Sequence, residues 1–413
     1  MRSVMRPERL WAVLLTTLCL GLGGHRAEAA HFTLDGYGDV RLIVPSSQDS
    51  WIHGGLGKFR FGQSSGDPDL RIGEVVAEGI GQLTPSIMAF ASIRYDQDQR
   101  REVDFIEAYV RYRPVSTTRF RWSVKLGMFF PPISLENGEV GWTSGWTITP
   151  SVINSWVGEE LRTIGGEGRL EYRTGRGTIE AVAAVYGFND PAGILLAFRG
   201  WAFNDRPTTY ADHPRLPDAL AAIFNAPVPF TTLEFKEIDD RPGYYLGLRV
   251  DDERFGRIEL MRYDNRANPE AFRRQFAWRT KFWSAGYTRR FGMLTLMAQG
   301  MTGLTYVEPV EDVYNNWNFD AAYLLAGLDL GKWRVALRGD VFSTDRKKST
   351  LPSTLSQEDG NGLTGSVSWF PKPWLRLSAE AIRAENDNTL RTSASLKPKI
   401  AEKQLQFLTR VYF

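Results

Sequence analysis

The chain has 413 residues with 50 basic and 48 acidic side chains, 13% aromatic residues and a single cysteine. So even a charge balance argues against nucleic acid or an anionic lipid surface as the main partner, because both favour a strong basic excess. One cysteine excludes an internal disulfide.

At the N-terminus, Arg2, Arg6 and Arg9 precede an apolar run from Leu10 to Gly23, and Ala27-Glu28-Ala29 follows. This is the layout of an export signal over residues 1–29, cleaved to leave 30–413. The run falls short of the roughly 20 residues that a spanning helix needs. The processed chain keeps 46 basic and 46 acidic residues, and the only cysteine leaves with the signal, so a thiol nucleophile is excluded.

From there on, segments with a period of two recur. SIMAFASIRY sets Ile87, Ala89, Ala91, Ile93 and Tyr95 on one side of a strand and Arg94 on the other. DFIEAYVRYR opposes Ile106, Ala108, Val110 and Tyr112 to Glu107, Arg111 and Arg113. RFRWSVKLGMFF opposes Phe120, Trp122, Val124, Leu126 and Met128 to Arg121, Ser123 and Lys125, and GEGRLEYR opposes Leu170 and Tyr172 to Glu167, Arg169, Glu171 and Arg173. WRVALRGDV and WLRLSAEA repeat the pattern with Arg338 and Asp340, and with Glu380, on the polar side. The chain ends on KQLQFLTRVYF, where Leu405, Phe407, Thr409, Val411 and Phe413 share one face. These are strands, not helices.

The strands of a soluble sheet also alternate, so the links between them carry the discrimination. Short links fall near 84–85, 116–117, 175–176, 253–254, 292, 331–332 and 371–373. Between them lie longer polar ones at 45–68, 97–101, 129–160, 189–241, 265–274, 305–316, 344–359 and 385–401. Short and long alternate throughout. That asymmetry predicts an all-β transmembrane antiparallel barrel of about 16 strands, with short periplasmic turns, long extracellular loops, a lipid-facing apolar side and a wet polar side.

A terminal Phe preceded by apolar residues at alternate positions, here Leu405, Phe407, Val411 and Phe413, resembles the closing strand of Gram-negative outer-membrane barrels. With the export signal, the chain is similar to members of the porin-like superfamily. The resemblance implies an outer-membrane location, contact with outer-membrane lipid, and recognition of Phe413 by the barrel-assembly machinery. It leaves a single barrel and a homotrimer both open.

On the polar faces stand Arg94, Glu107, Arg111, Arg113, Arg121, Lys125, Glu167, Arg169, Glu171, Arg173, Arg249, Arg279, Lys281, Arg338 and Asp340, which are expected to line the pore. Buried dry and unpaired, so many charges would be costly, whereas a barrel of this size holds water. The run Arg111, Arg113, Arg119, Arg121 and Lys125 is one-sided, so a weak preference for anions is expected; cross-strand ion pairing that only stiffens the wall is the simpler reading of the rest. Links 129–160 and 189–241 are too long for turns. Trp142, Trp146 and Trp156 in the first make it the candidate constriction loop.

No metal or catalytic pattern accompanies these residues. His31, His53 and His213 stand far apart, and Asp96-Gln97-Asp98 and Glu358-Asp359-Gly360-Asn361 read as polar loop tips without the remaining calcium ligands. No cofactor, no nucleic-acid partner and no enzymatic activity are expected. The expected function is passive diffusion of small hydrophilic solutes, with a non-conducting surface-interaction barrel or a membrane-bound hydrolase as the alternative.

Overall fold

In the computed structural model, residues 31–224, 230–309, 313–348 and 357–413 are described; the predicted export signal lies outside them. The barrel strands are β1 (His31–Val44), β2 (Asp69–Thr84), β3 (Ile87–Tyr95), β4 (Val103–Tyr112), β5 (Phe120–Phe129), β6 (Thr163–Arg173), β7 (Gly177–Gly187) and β8 (Gly243–Asp252). They continue as β9 (Gly256–Asp264), β10 (Arg279–Phe291), β11 (Leu294–Val307), β12 (Asn315–Asp329), β13 (Trp333–Lys348), β14 (Glu358–Lys372), β15 (Leu375–Asn388) and β16 (Lys399–Tyr412). Each pairs antiparallel with its sequence neighbours, and β16 returns to β1, closing sixteen strands into one cylinder.

Closure solves the edge problem that an open sheet would have in a lipid environment, since every ladder donor and acceptor finds a partner. At the seam, Leu42 faces Phe407 and Gly38 faces Val411. The main-chain N–H of Phe413 donates to Gly36 O and the N–H of Gly36 donates back to Phe413 O, both at 3.0 Å. Gly36 is required there, because a side chain at that position would overlap the Phe413 ring and the Val76 carbonyl.

The alternation in sequence becomes a partition in space. Leu126, Leu170, Leu246, Leu260, Leu324, Leu337 and Phe407 are exposed on the outer wall, while Gln404, Gln406 and Arg410 on the opposite side of β16 are buried in the interior. The seven short connections lie at one end and the longer ones at the other, with both ends of the cylinder's chain at the short-turn end.

Two expectations fail at particular residues. Ile106, expected outside, is buried in the interior cluster, and Phe105 is outside instead. Ser92 pairs with Glu107 and Ile93 with Phe105, so Ile106 is the extra residue of a β-bulge, and a bulge shifts the side-chain parity by one. Several strands also run further than expected: β13 continues to Lys348, and β14 begins at Glu358, so Glu358–Asn361 is strand and not a loop tip.

The interior is occupied. The first loop carries Lys58, Phe59 and Arg60 inward, and all three are buried. The segment after β5 enters the lumen, forms a short hairpin (Asn137–Glu139 with Thr143–Ser144) and then helix α1 (Val152–Glu160). Between β7 and β8 the chain contributes α2 (Ile194–Phe198) and α3 (Ala219–Phe224). Residues 147–163 and 189–209 are buried without exception. A final short helix, α4 (Leu390–Ser393), lies in the link before β16.

Candidate functional site

The in-folded segments divide the lumen into a packed half toward the long loops and a solvated chamber toward the short turns. What holds the packed half is mostly polar. Ser151 caps α1 by accepting from the N–H of Asn154, and the N–H of Ser151 donates to Glu136 at 2.7 Å. From the wall, Arg338 donates to the carbonyls of Thr149 and Pro150 at 2.8 and 2.9 Å, and to Asp340 at 2.8 Å. Glu380 accepts from the N–H of Thr149 at 3.0 Å. At the other end of α1, Glu159 takes both terminal nitrogens of Arg199 at 2.8 and 2.6 Å. The loop carbonyls and amides that entering the lumen deprives of water are thus met by wall side chains.

Trp156 forms the apolar centre. It is completely buried, with ring centroids 5.9 Å from Trp201, 5.6 Å from Phe282 and 5.2 Å from Phe319. Trp142 is half-buried and stacks on Phe130 at 4.2 Å. Trp146 is half-buried near the Arg334 guanidinium, and its ring covers Gly327 on the wall. Of the three tryptophans expected at a constriction, one is therefore core and two border the chamber.

Next around the wall, on β16 and β1 to β3, lies a buried ionic network. Arg41 pairs with Asp39, Glu74 and Asp205; Arg60 with Asp96 and Asp205; Arg94 with Glu74 and Asp96; Arg410 with Asp39 and Glu74. Four guanidiniums meet four carboxylates, so the group is neutral overall, which is what burial requires. Asp205 belongs to the in-folded segment and the rest of the network to the wall, β3's end and the first loop. Sequence reading found Arg94 but missed the network, because its members are scattered from Asp39 to Arg410. Asp96 and Asp98 are consumed by arginines, with Asp98 accepting from Arg71 at 2.7 Å.

The chamber is lined by a charged ladder on β4 to β9. Lys125 and Arg169 meet Glu167 at 3.2 and 2.7 Å, Arg121 and Arg173 meet Glu171 at 3.6 and 3.4 Å, and Arg249 meets Glu180 and Glu259 at 3.5 and 2.7 Å. Arg111 reaches only the Met88 sulfur, at 3.4 Å, and Arg113 is exposed at the rim. Among the described residues neither has a carboxylate within ion-pair distance. With the Arg257–Asp251 pair at 3.0 Å and the inward Glu107, eight cations on these strands, Arg111, Arg113, Arg121, Lys125, Arg169, Arg173, Arg249 and Arg257, face six carboxylates, Glu107, Glu167, Glu171, Glu180, Asp251 and Glu259. Glu107 points inward but accepts the Phe130 N–H at 2.9 Å, fixing the start of the in-folded loop. Where that loop meets the ladder, a small cavity is lined by Pro132, Ile133, Glu180, Arg249, Glu259 and Met261.

Arg279 does not line the pore. Thr280 and Phe282 are the buried, inward residues of β10, so Arg279 and Lys281 share the outer face with exposed Trp283. Arg279 contacts Asp264 at 3.4 Å, also on the outer side. Charge marked the wrong face here, because these residues sit at the strand's long-loop end, where the outer wall leaves the apolar belt.

Asp190, Glu237 and Asp239 bring three carboxylates within 4.8 Å of one another in the link between β7 and β8. Main-chain N–H groups already occupy them: Phe188 donates to Glu237 at 2.8 Å, Arg241 to Asp239 at 2.9 Å, and Ile238 and Asp239 to Asp190. The cluster reads as a loop clamp. His53 and His31 are exposed, and His213 lies beside Arg100.

No protein-family model matches the sequence, and no curated protein matches it either. Solved structures do match the fold. The outer-membrane channel DcaP of Acinetobacter baumannii superposes with a TM-score of 0.57 at 10% identity, over 95% of this chain and 100% of that one. OmpT, an outer membrane protein of Vibrio cholerae, in its trimer form gives 0.51 at 10% identity, over 94% and 100%. An anion-selective porin from Comamonas acidovorans gives 0.50 at 12% identity, over 93% and 100%. The chain shares the closed-barrel fold of these porins and channels, and its outward apolar belt suits a lipid environment.

Proposed function

We propose that the protein is a channel for passive diffusion of small hydrophilic solutes, with a weak preference for anions. The observation that carries this reading is the part-exposed charged ladder on β4 to β9, where eight cations face six carboxylates inside the barrel. Electrostatic focusing inside a low-dielectric wall raises the local concentration of counter-ions, and here the surplus is positive. The solute path passes the junction of the in-folded loop with Arg249 and Glu259. Residues 1–29 serve as the export signal, Phe413 as the feature read by the barrel-assembly machinery, and the assembled form is a homotrimer. The role is transport, with no enzymatic step and no cofactor.

The complete burial of 147–163 and 189–209 favours a second reading, a barrel that stays sealed and acts through its long loops. Purified protein in a planar bilayer separates the two. Stepwise ohmic conductance with a reversal potential on the anion side supports the channel; a silent bilayer containing folded protein removes it.

A further inference from the structure

The two in-folded segments meet around α1. Ser155 Oγ donates to the Asn204 carbonyl at 2.9 Å, Glu159 pairs with Arg199, and Glu160 accepts the N–H of Leu195 at 2.9 Å. A further carboxyl, Glu234 in the link between β7 and β8, comes up beside Glu160, whose charge acts on it more than any other. Both are buried, at 1% and 2% exposed. Neither oxygen of Glu234 meets a well-placed hydrogen-bond donor, although the Thr232 hydroxyl lies beside it.

Charge does not balance here. Arg199 gives both terminal nitrogens to Glu159 and its Nε–H to Gly200 O at 3.3 Å, and its guanidinium lies over the Trp51 ring. Lys58 is used in the same way, by Glu358 and by the Trp201 carbonyl at 2.9 Å. Among the described residues no Lys, Arg or His stands within 4.0 Å of the Glu160 or Glu234 carboxyl. With Glu402 and Arg391 included, five buried carboxyls, Glu159, Glu160, Glu234, Glu358 and Glu402, meet three buried cations, Lys58, Arg199 and Arg391. The arginine network on β16 and β1 to β3, by contrast, closes with equal numbers. Two surplus negative charges are too costly to bury, so two carboxyls hold protons in the packed state. Glu402 keeps two donors, the Lys58 N–H and the Ser46 hydroxyl, and the fields of Lys58 and Arg391. Glu160 and Glu234, one against the other, are the pair that holds the protons. The charged and titratable groups facing them are Glu159 on α1, Arg199 after α2 and Tyr263 on β9. Burial pushes the Glu160 carboxyl up to about 7, and burial together with the Glu160 charge raises Glu234 well above the ordinary glutamate range.

We infer that Glu160 and Glu234 form a proton-operated latch between the two in-folded segments: with protons bound the segments stay packed, and ionisation of the pair drives them apart. The packed state binds these protons more tightly than a loosened, wetted one, so packing is firmest at acid pH and weakens as pH rises through about 7. Among the described residues the three carboxylates placed to share a metal ion are Asp190, Glu237 and Asp239, which do not include this pair, so the ligand is the proton. The inference rests on the packing of the lumen, and not on whether the pore conducts.

The test uses the folded full barrel in detergent micelles, with hydrogen exchange of α1 read at pH 6 and pH 8 relative to the intrinsic rate at each pH. Wild type is expected to lose protection by about tenfold or more at pH 8, and Glu160→Gln with Glu234→Gln to stay within about twofold. Glu234→Gln alone, which alters a carboxyl that anchors no main-chain group, is expected to show a smaller loss than wild type. Equal loss in wild type and the double variant overturns the proposal. Recovery of wild-type protection at pH 8 on adding millimolar calcium also overturns it, since a divalent cation would then be the ligand. Asp190→Asn is expected to leave the α1 response in place; its disappearance there would assign the response to the loop clamp instead. Heat-dependent gel mobility confirms that each variant is folded, and because protection is read without current, a silent bilayer leaves the result intact.

Discussion

Arg338 donates to the carbonyl of Pro150 at 2.9 Å, tying the barrel wall to the segment that fills it. The same guanidinium pairs with Asp340 and Glu136, all three fully buried. Replacing Arg338 with Met leaves two carboxylates without their cation, a loss of about 3–5 kcal/mol for a broken buried pair. The ladder hydrogen bonds of β13 remain, so the barrel is expected to fold while residues 130–162 loosen. Hydrogen exchange should rise in that segment, and single-channel conductance should increase. Unchanged exchange there would show that Arg338 does not hold the loop.

Reversing charge in the chamber addresses selectivity. Arg111 and Arg113 have no carboxylate within ion-pair distance among the described residues, so Arg111→Glu with Arg113→Glu removes the positive surplus where it is least compensated. In a salt gradient the reversal potential is expected to change sign toward cations. Persistence of anion preference in the double variant would place the filter elsewhere.

The loop clamp between β7 and β8 makes its closure depend on pH. Burial, aided by repulsion from Glu237 and Asp239, pushes the Asp190 carboxyl up to about 7, against about 3.9 for a free aspartate. The folded state therefore binds a proton more tightly than the unfolded one, and its contribution is present below about pH 4 and lost as pH rises toward 7. Protection of 188–209 from hydrogen exchange, taken relative to the intrinsic rate at each pH, is expected to be greater at pH 5 than at pH 8, and Asp190→Asn should flatten that difference. A variant that keeps the full pH dependence would assign it to another group.

The seam offers a steric test. Gly36→Leu forces a side chain against the Phe413 ring and the Val76 carbonyl, and overpacking of this kind costs about 1–3 kcal/mol. The heat-resistant folded band on a gel should melt at lower temperature, while Gly38→Leu, two residues on and clear of the ring, should have the smaller effect. Equal melting of both would show that closure does not depend on this contact.

Much of the wall was legible in the sequence. The alternation in β5, β6 and β16 named the correct faces, and the rhythm of short and long links led to a barrel of about sixteen strands. It failed at Ile106, where a bulge inserts one residue and flips the parity, and at Arg279 and Lys281, where charge was read as a sign of the lumen. Both errors share one cause: a period of two says which residues lie together, but not which side they face when a bulge or the headgroup layer intervenes.

By itself, then, the sequence determined the strands, the apolar outer belt and the even closure, because those follow from contacts between residues two apart and from neighbouring strands. The filling of the lumen was decided only in three dimensions. Arg41 meets Asp205 across 164 positions and Arg338 meets Thr149 across 189, and such pairs exist only once the cylinder has closed and brought wall and loop within hydrogen-bond reach.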